Sequence, residues 1–273
     1  MVSSFDQSNY QVRFDWGIDG LARLEPADVI VVVDVLRFST AATRAIEAGR
    51  EIVLRPELSR NGAPIAHAAR EHAAREHAAR GATVLIGCLR NRGAIADAIV
   101  AEQHARGGRM SVVVIAAGER AARRTPLPML LGASVPQPGQ HAEGGDENPE
   151  HGGHDPQGVD QDPEHGGHDP QGVDQERDAA QLPRFAVEDL LGAGAIIDAL
   201  ITRGIDHCSP EASVAAEGFA ALQHGLGHLL GASGSGRELA AAGLDGDVAY
   251  ASALDASSAV AVLRDGVLVR REA

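Results

Sequence analysis

Within seven residues, Asp34-Val-Leu-Arg37-Phe-Ser39-Thr40 brings together a carboxylate, a guanidinium and two hydroxyls. A carboxylate suits a hard metal ion, a guanidinium reads phosphate or sulfonate through paired hydrogen bonds, and hydroxyls donate to phosphoryl oxygens. A second reading is equally open on local pattern: Asp34 caps a helix or pairs with Arg37, and Ser39 and Thr40 cap the helix that follows. Further along, Asn61-Gly62 sits in a turn, Asn91 follows an apolar run, and Glu188-Asp189 opens a helical stretch. On a helix those adjacent acids point about 100° apart, so one can face a metal while the other holds a neighbouring donor. A solvated helix start is as natural a reading for them, because acids favour helix N-termini.

The elements that must position these residues follow from hydrophobic pattern. Val29-Ile-Val-Val-Val33 is an unbroken β-branched run ending at Asp34, which reads as a strand buried on both faces of a parallel sheet. Ligands of open α/β sheets bind beyond the carboxyl ends of such strands. Thr40 to Gly49 reads as a short helix closed by glycine, Ile52 to Leu54 as a strand, and Pro64 to Arg80 as a helix. Ala82 to Gly87 and Ser111 to Ala116 read as strands flanking a helix from Ala94 to Arg106. This alternation is the sequence form of βαβ units. After the insert described below, helices are expected over 184–200, 210–230 and 236–243, then a strand pair at 259–263 and 266–269. Gly192 and Gly194 permit close approach of a neighbouring backbone. The expected fold is three-layer α/β/α around a mostly parallel or mixed sheet.

Bulk composition excludes several classes of function. Apolar residues make up 44% of the 273, ample for a core, but aromatics are only 3%, so the core is built from Ala, Val, Leu and Ile. The formal charge of −14 is mostly local: residues 133 to 181 hold twelve acids against Arg177 and account for −11 of it. No basic patch favours nucleic acid. No apolar stretch is long enough to span a membrane, and the start of the chain lacks a signal-peptide pattern, so a cytoplasmic protein is expected. Cys88 and Cys208 have no metal-ligand spacing, and Cys88, after Val84-Leu-Ile-Gly87, reads as a buried reduced thiol. An Ala-rich, aromatic-poor domain gains stability by pairing, which makes a homodimer an expectation.

Residues 121–182 break the pattern. Pro-Glu-His-Gly-Gly-His-Asp-Pro-Gln-Gly-Val-Asp-Gln occurs at 149–161 and again, unchanged, at 163–175. Such composition buries too little apolar surface to offset its ordering entropy, so a disordered acidic insert is expected. It separates a first half-domain, 1–120, from a second, 183–273.

Taken in order, several segments resemble the 2-phosphosulfolactate phosphatase family, the magnesium-dependent phosphatases of coenzyme M biosynthesis. They are Asp34-Val-Leu-Arg37-Phe-Ser39-Thr40, Asn61-Gly62, Leu85-Ile-Gly-Cys-Leu-Arg90-Asn91, Ala116-Ala-Gly118-Glu119, Glu188-Asp189-Leu-Leu-Gly192-Ala-Gly194, and Gly246-Asp247-Val with Leu254-Asp255. The family segment between the first helix and the Asn-Gly turn is missing, and Arg60 and Ala63 stand where the family has threonines. Gly118-Glu119-Arg120 follows a different strand and does not replace that segment. The resemblance implies hydrolysis of a small anionic phosphomonoester, 2-phosphosulfolactate, with Mg2+. Asp34, Arg37 and Asn61 would then be catalytic, and Ser39, Thr40, Gly62 and Asn91 would bind substrate. Asp34, Glu188 and Asp189 would hold the metal. The alternatives are a phosphatase for another small phosphoester and a non-catalytic small-anion-binding protein on the same fold.

Rival chemistries fit less well. An Asp-x-Asp phosphatase needs an acid where Leu36 stands, and a cysteine phosphatase needs an arginine loop that Cys88 lacks. A dinucleotide fold needs a glycine-rich turn where Leu36-Arg-Phe-Ser39 stands.

Overall fold

The structure is a computed structural model that describes residues 4–76, 81–119 and 184–272. The expected insert and its tandem repeat lie outside the described residues. The first block forms β1 (Val12–Trp16), α1 (Gly17–Arg23), β2 (Val29–Val33), α2 (Phe38–Glu47), β3 (Ile52–Val53), α3 (Gly62–Glu76), β4 (Thr83–Gly87), α4 (Arg92–Arg106) and β5 (Val112–Ala116). The last block forms α5 (Val187–Ile201), α6 (Pro210–Leu222), α7 (Leu226–Ala232), α8 (Gly234–Ala241), α9 (Asp245–Ala251), β6 (Ala261–Arg264) and β7 (Val267–Arg270).

Seven strands make one mixed sheet in the order β1-β5-β2-β4-β6-β7-β3. The first four in that order are parallel, and β6, β7 and β3 each pair antiparallel with the strand before. Strands from both sides of the insert therefore share one ladder. Burial explains the sequence pattern of β2. Val29, Val31 and Val33 face a core with α4, α5 and α6, while Ile30 and Val32 face a second core with α1, α2 and α3. With both faces covered, every position of the strand is apolar, and the arrangement is the expected α/β/α sandwich.

Register places the site. Val33 pairs with Gly87 on β4 and with Ala116 on β5, so three parallel strands end level. Residues just beyond them, Asp34 and Glu119 among them, emerge at one edge of the sheet. Against that edge lies α5, and its glycines are needed there. A Cβ on Gly192 would stand 2.6 Å from Val35 Cγ2, and one on Gly194 would stand 2.1 Å from the Ala215 carbonyl oxygen on α6.

The single helix expected over 210–230 is interrupted: α6 ends at Leu222 and a 3-10 turn over Gln223–Gly225 precedes α7. Glycines at 225 and 227 lower helical preference there. Cys88 is fully buried and both cysteines are unbridged, as read from the sequence. No helix among the described residues is long and apolar enough to cross a membrane.

Candidate active site

Beyond the carboxyl ends of β2 and β5 opens a cleft of about 770 Å³. Asp34, Asn61, Glu119 and Ser235 line it, and so do the guanidinium-bearing Arg37, Arg44, Arg50 and Arg60. A smaller cavity of about 190 Å³ shares Glu119 and Ser235 and adds Glu188 and Arg184.

Asp34 is the best-anchored of these residues. It is only 4% exposed, and its Oδ2 accepts the backbone N–H of Gly62 at 2.7 Å, the first residue of α3. The Phe38 backbone N–H, at the start of α2, also bonds it. One carboxylate thus closes two helix N-termini, where unpaired N–H groups and helix dipoles favour negative charge. Gly62 is required at that contact, because a Cβ there would stand 2.6 Å from Asp34 Oδ2 and 2.6 Å from the Phe38 ring. Burial nevertheless dominates the ionisation of Asp34. It pushes the carboxyl up to about 6 against those two N–H bonds, and the nearby charges of Glu119 and Glu188 push the same way.

The adjacent acids of α5 part company, as their helical geometry requires. Asp189 turns to the sheet: its Oδ1 accepts Val35 N–H at 2.7 Å and its Oδ2 accepts Gly118 N–H at 2.9 Å. It clips together the chain leaving β2 and the chain leaving β5. Burial, then the charges of Asp34 and Glu188, hold its carboxyl well above the usual range. Glu188 turns to Ser235 at the start of α8, whose Oγ contacts Glu188 Oε1 and lies 2.7 Å from Glu119 Oε1. A hydroxyl has one proton to give, so one of these two carboxylates faces it without a donor. Asn61 Nδ2 reaches the far oxygen of Glu119 at 3.4 Å.

Not every residue singled out from the sequence reaches the cleft. Asn91 is fully buried; its Oδ1 accepts Cys88 N–H at 2.9 Å and its Nδ2 donates to Ala259 O at 3.0 Å. The expectation that it contacts substrate is therefore corrected: its amide fastens the β4 turn to the chain entering β6. Ser39 is likewise fully buried. Its Oγ accepts the Asp34 backbone N–H at 2.9 Å, which makes it a brace for Asp34 instead of a donor to ligand. Thr40 lines the cleft, but its hydroxyl donates to Val35 O at 2.8 Å. Arg37 lines the cleft and pairs with Asp247, not with Asp34. Gly62 contributes its N–H to Asp34, and Asn61 stays at the cleft beside Glu119.

Two residues of the acid cluster were given no role from the sequence, although Glu119 stands in one of the family-like segments. Glu119 carried a signal, since it follows the third parallel strand at its carboxyl end. Ser235 carried none, because it sits 116 positions from Glu119 and only the fold joins them. Among the described residues no three Asp, Glu, His or Cys side chains form a ready-made metal cage. The nearest donor set is Glu119 and Glu188 across Ser235, all hard oxygens of the kind magnesium takes.

No curated protein matches the chain. Residues 178–266 match the family model described as 2-phosphosulpholactate phosphatase. That span carries Ser235 and Asp247, which line the cleft, Glu188 of the smaller cavity beside it, and the buried Asp189. That part of the chain, about a third of its length, is what is similar to the 2-phosphosulpholactate phosphatase family.

Proposed function

We propose that this cleft hydrolyses a small anionic phosphomonoester, 2-phosphosulfolactate, to sulfolactate and phosphate, with Mg2+ as cofactor. The observation that carries the reading is the coexistence, in one cleft, of a carboxylate cluster and four guanidiniums, beside a family match that names this activity. Phosphoryl transfer is chiefly a matter of positioning and charge compensation. Magnesium keeps several waters and needs only one or two protein carboxylates, which Glu119 and Glu188 would supply. Bound there, it would polarise phosphoryl oxygens.

The chain's own groups do the rest. Arg37 and the neighbouring Arg44 and Arg60 bind the phosphoryl and sulfonate oxygens. Asn61, already directed at Glu119, donates to the substrate from the turn before α3. Asp34 has one oxygen held by Gly62 and a carboxyl that exchanges its proton near neutral pH. It takes the proton of the attacking water. Asp189 keeps β2 and β5 at the spacing that brings Asp34 and Glu119 to one edge.

One observation favours a second reading, a small-anion-binding protein without turnover. Asp34 and Asp189 spend oxygens on backbone N–H groups, and no preformed metal cage exists among the described residues. Phosphate release from 2-phosphosulfolactate, with magnesium or with chelator, separates the two. Metal-dependent release supports the phosphatase; tight binding of the ester without release supports the binding protein.

A further inference from the structure

Arg37 Nη1 donates to Asp247 Oδ2 at 2.8 Å, joining the turn after β2 to the first turn of α9 across the cleft. Both side chains line that cleft, and they are 49% and 40% exposed. The contact uses one of the five N–H donors of a guanidinium whose fork is shaped for two-point contact with an oxyanion. The other three arginines differ. Arg44 lies 5.2 Å over the Tyr250 ring, and none of Arg44, Arg50 and Arg60 has an acid partner among the described residues. Among the described residues, Arg37 is thus the one of these four cations with a carboxylate partner.

We infer that Asp247 is an internal competitor for Arg37, a specificity-determining carboxylate that an incoming oxyanion must displace. The inference rests on the anion-binding role given to Arg37 in the phosphatase reading and refines it. An exposed single-point ion pair is weak, so a phosphoryl dianion with two oxygens for the fork outcompetes it. A monoanionic group gains less at Arg37 and meets the same obstacle. Because Asp247 holds Nη1, one arm of the fork, and carries charge of the same sign as the ligand, the pair opposes the ligand, and its strength is subtracted from ligand affinity. For a pair of this class that is about two- to fivefold in Kd.

The test is calorimetric titration of the full-length protein with inorganic phosphate at low ionic strength. Five forms are compared: wild type, Asp247→Asn, Asp247→Ser, Arg37→Ala and the Asp247→Asn/Arg37→Ala double variant. The expected result is tightening by about two- to fivefold in both Asp247 variants, and no tightening once Arg37 is gone. Unchanged or weaker binding in the Asp247 variants overturns the inference and leaves the phosphatase reading standing. Tightening that persists without Arg37 also overturns it, because the effect is then general charge removal. Absence of phosphate binding by wild type, together with absence of turnover, overturns both.

Discussion

The Gly62 backbone N–H donates to Asp34 Oδ2 at 2.7 Å, so the carboxylate at the end of β2 is fixed by the first residue of α3. A Cβ at position 62 would stand 2.6 Å from that oxygen and 2.6 Å from Phe38 Cδ1, both on buried residues. Gly62→Ala is expected to cost about 1–3 kcal/mol of stability, the usual range for overpacking. It should also displace Asp34 and lower kcat far more than the stability loss explains. Urea unfolding and steady-state kinetics on one preparation check both parts.

Asp34 links stability to pH. Its carboxyl is raised from 3.8 to about 6 by burial in the folded protein. Below pH 4 both folded and unfolded chains hold the proton, and the group contributes nothing. Between pH 4 and 6 the unfolded chain releases it while the folded chain keeps it, so stability falls as pH rises, and above 6 the deficit is complete. Asp189, also raised, acts in the same direction. Asp34→Asn removes the Asp34 contribution. With chelator present it should be more stable than wild type at pH 7.5, by up to roughly 3 kcal/mol, and the gap should close toward pH 4. Thermal melts of both proteins across that range provide the check.

The two ends of the insert are held together at the site. Glu119 N–H donates to Arg184 O at 2.9 Å and Arg184 N–H donates to Glu119 O at 2.7 Å, the two-bond pair of an antiparallel ladder. A turn of two to about five residues spans such a pair. Replacing residues 120–183 with a short Gly/Ser-rich turn is therefore expected to leave the melting temperature within a few degrees and kcat/KM within about threefold. Loss of folding or of activity in that variant would show that the insert contributes to the domain.

How far the sequence foretold this arrangement depends on what each segment must bury. The strand β2 was legible because burial on both faces leaves it no polar position. The edge strand β1 was not read as a strand, since Val12-Arg-Phe-Asp-Trp16 interleaves charges with apolar residues. Arg13 is nonetheless 5% exposed, its guanidinium donating to the carbonyls of Tyr10 and Glu25 at 2.9 and 2.7 Å. Local pattern cannot announce a cation buried among carbonyls. In the same way α9 was not read as a helix, because Asp245-Gly-Asp247 resembles a turn until packing of Val248 and Ala251 holds it helical. At the site, Asp34 and the diverging acids of α5 were legible from type and spacing. The Glu119–Ser235–Glu188 chain was not, since its members meet only through the fold.

That chain gives a prediction of its own. Ser235→Ala removes the hydroxyl that bridges Glu119 Oε1 and Glu188 Oε1 and leaves those two oxygens without it, which should cost about 1–3 kcal/mol in the metal-free protein. Magnesium should restore part of that loss, because a cation between the carboxylates replaces the missing donor. Melting temperature with magnesium and with chelator, in wild type and Ser235→Ala, reports both effects.

In the proposed phosphatase, Glu119 and Glu188 would hold the magnesium and Asp34 would accept the proton of the attacking water. The most direct measurement is phosphate release by the purified protein from 2-phosphosulfolactate, with magnesium and with chelator, alongside Glu188→Gln and Asp34→Asn. Magnesium-dependent release by wild type is expected. Glu188→Gln should need much more magnesium to reach half its maximal rate, and Asp34→Asn should lose kcat at saturating metal. Release that ignores chelator, or that survives both substitutions unchanged, would contradict these roles.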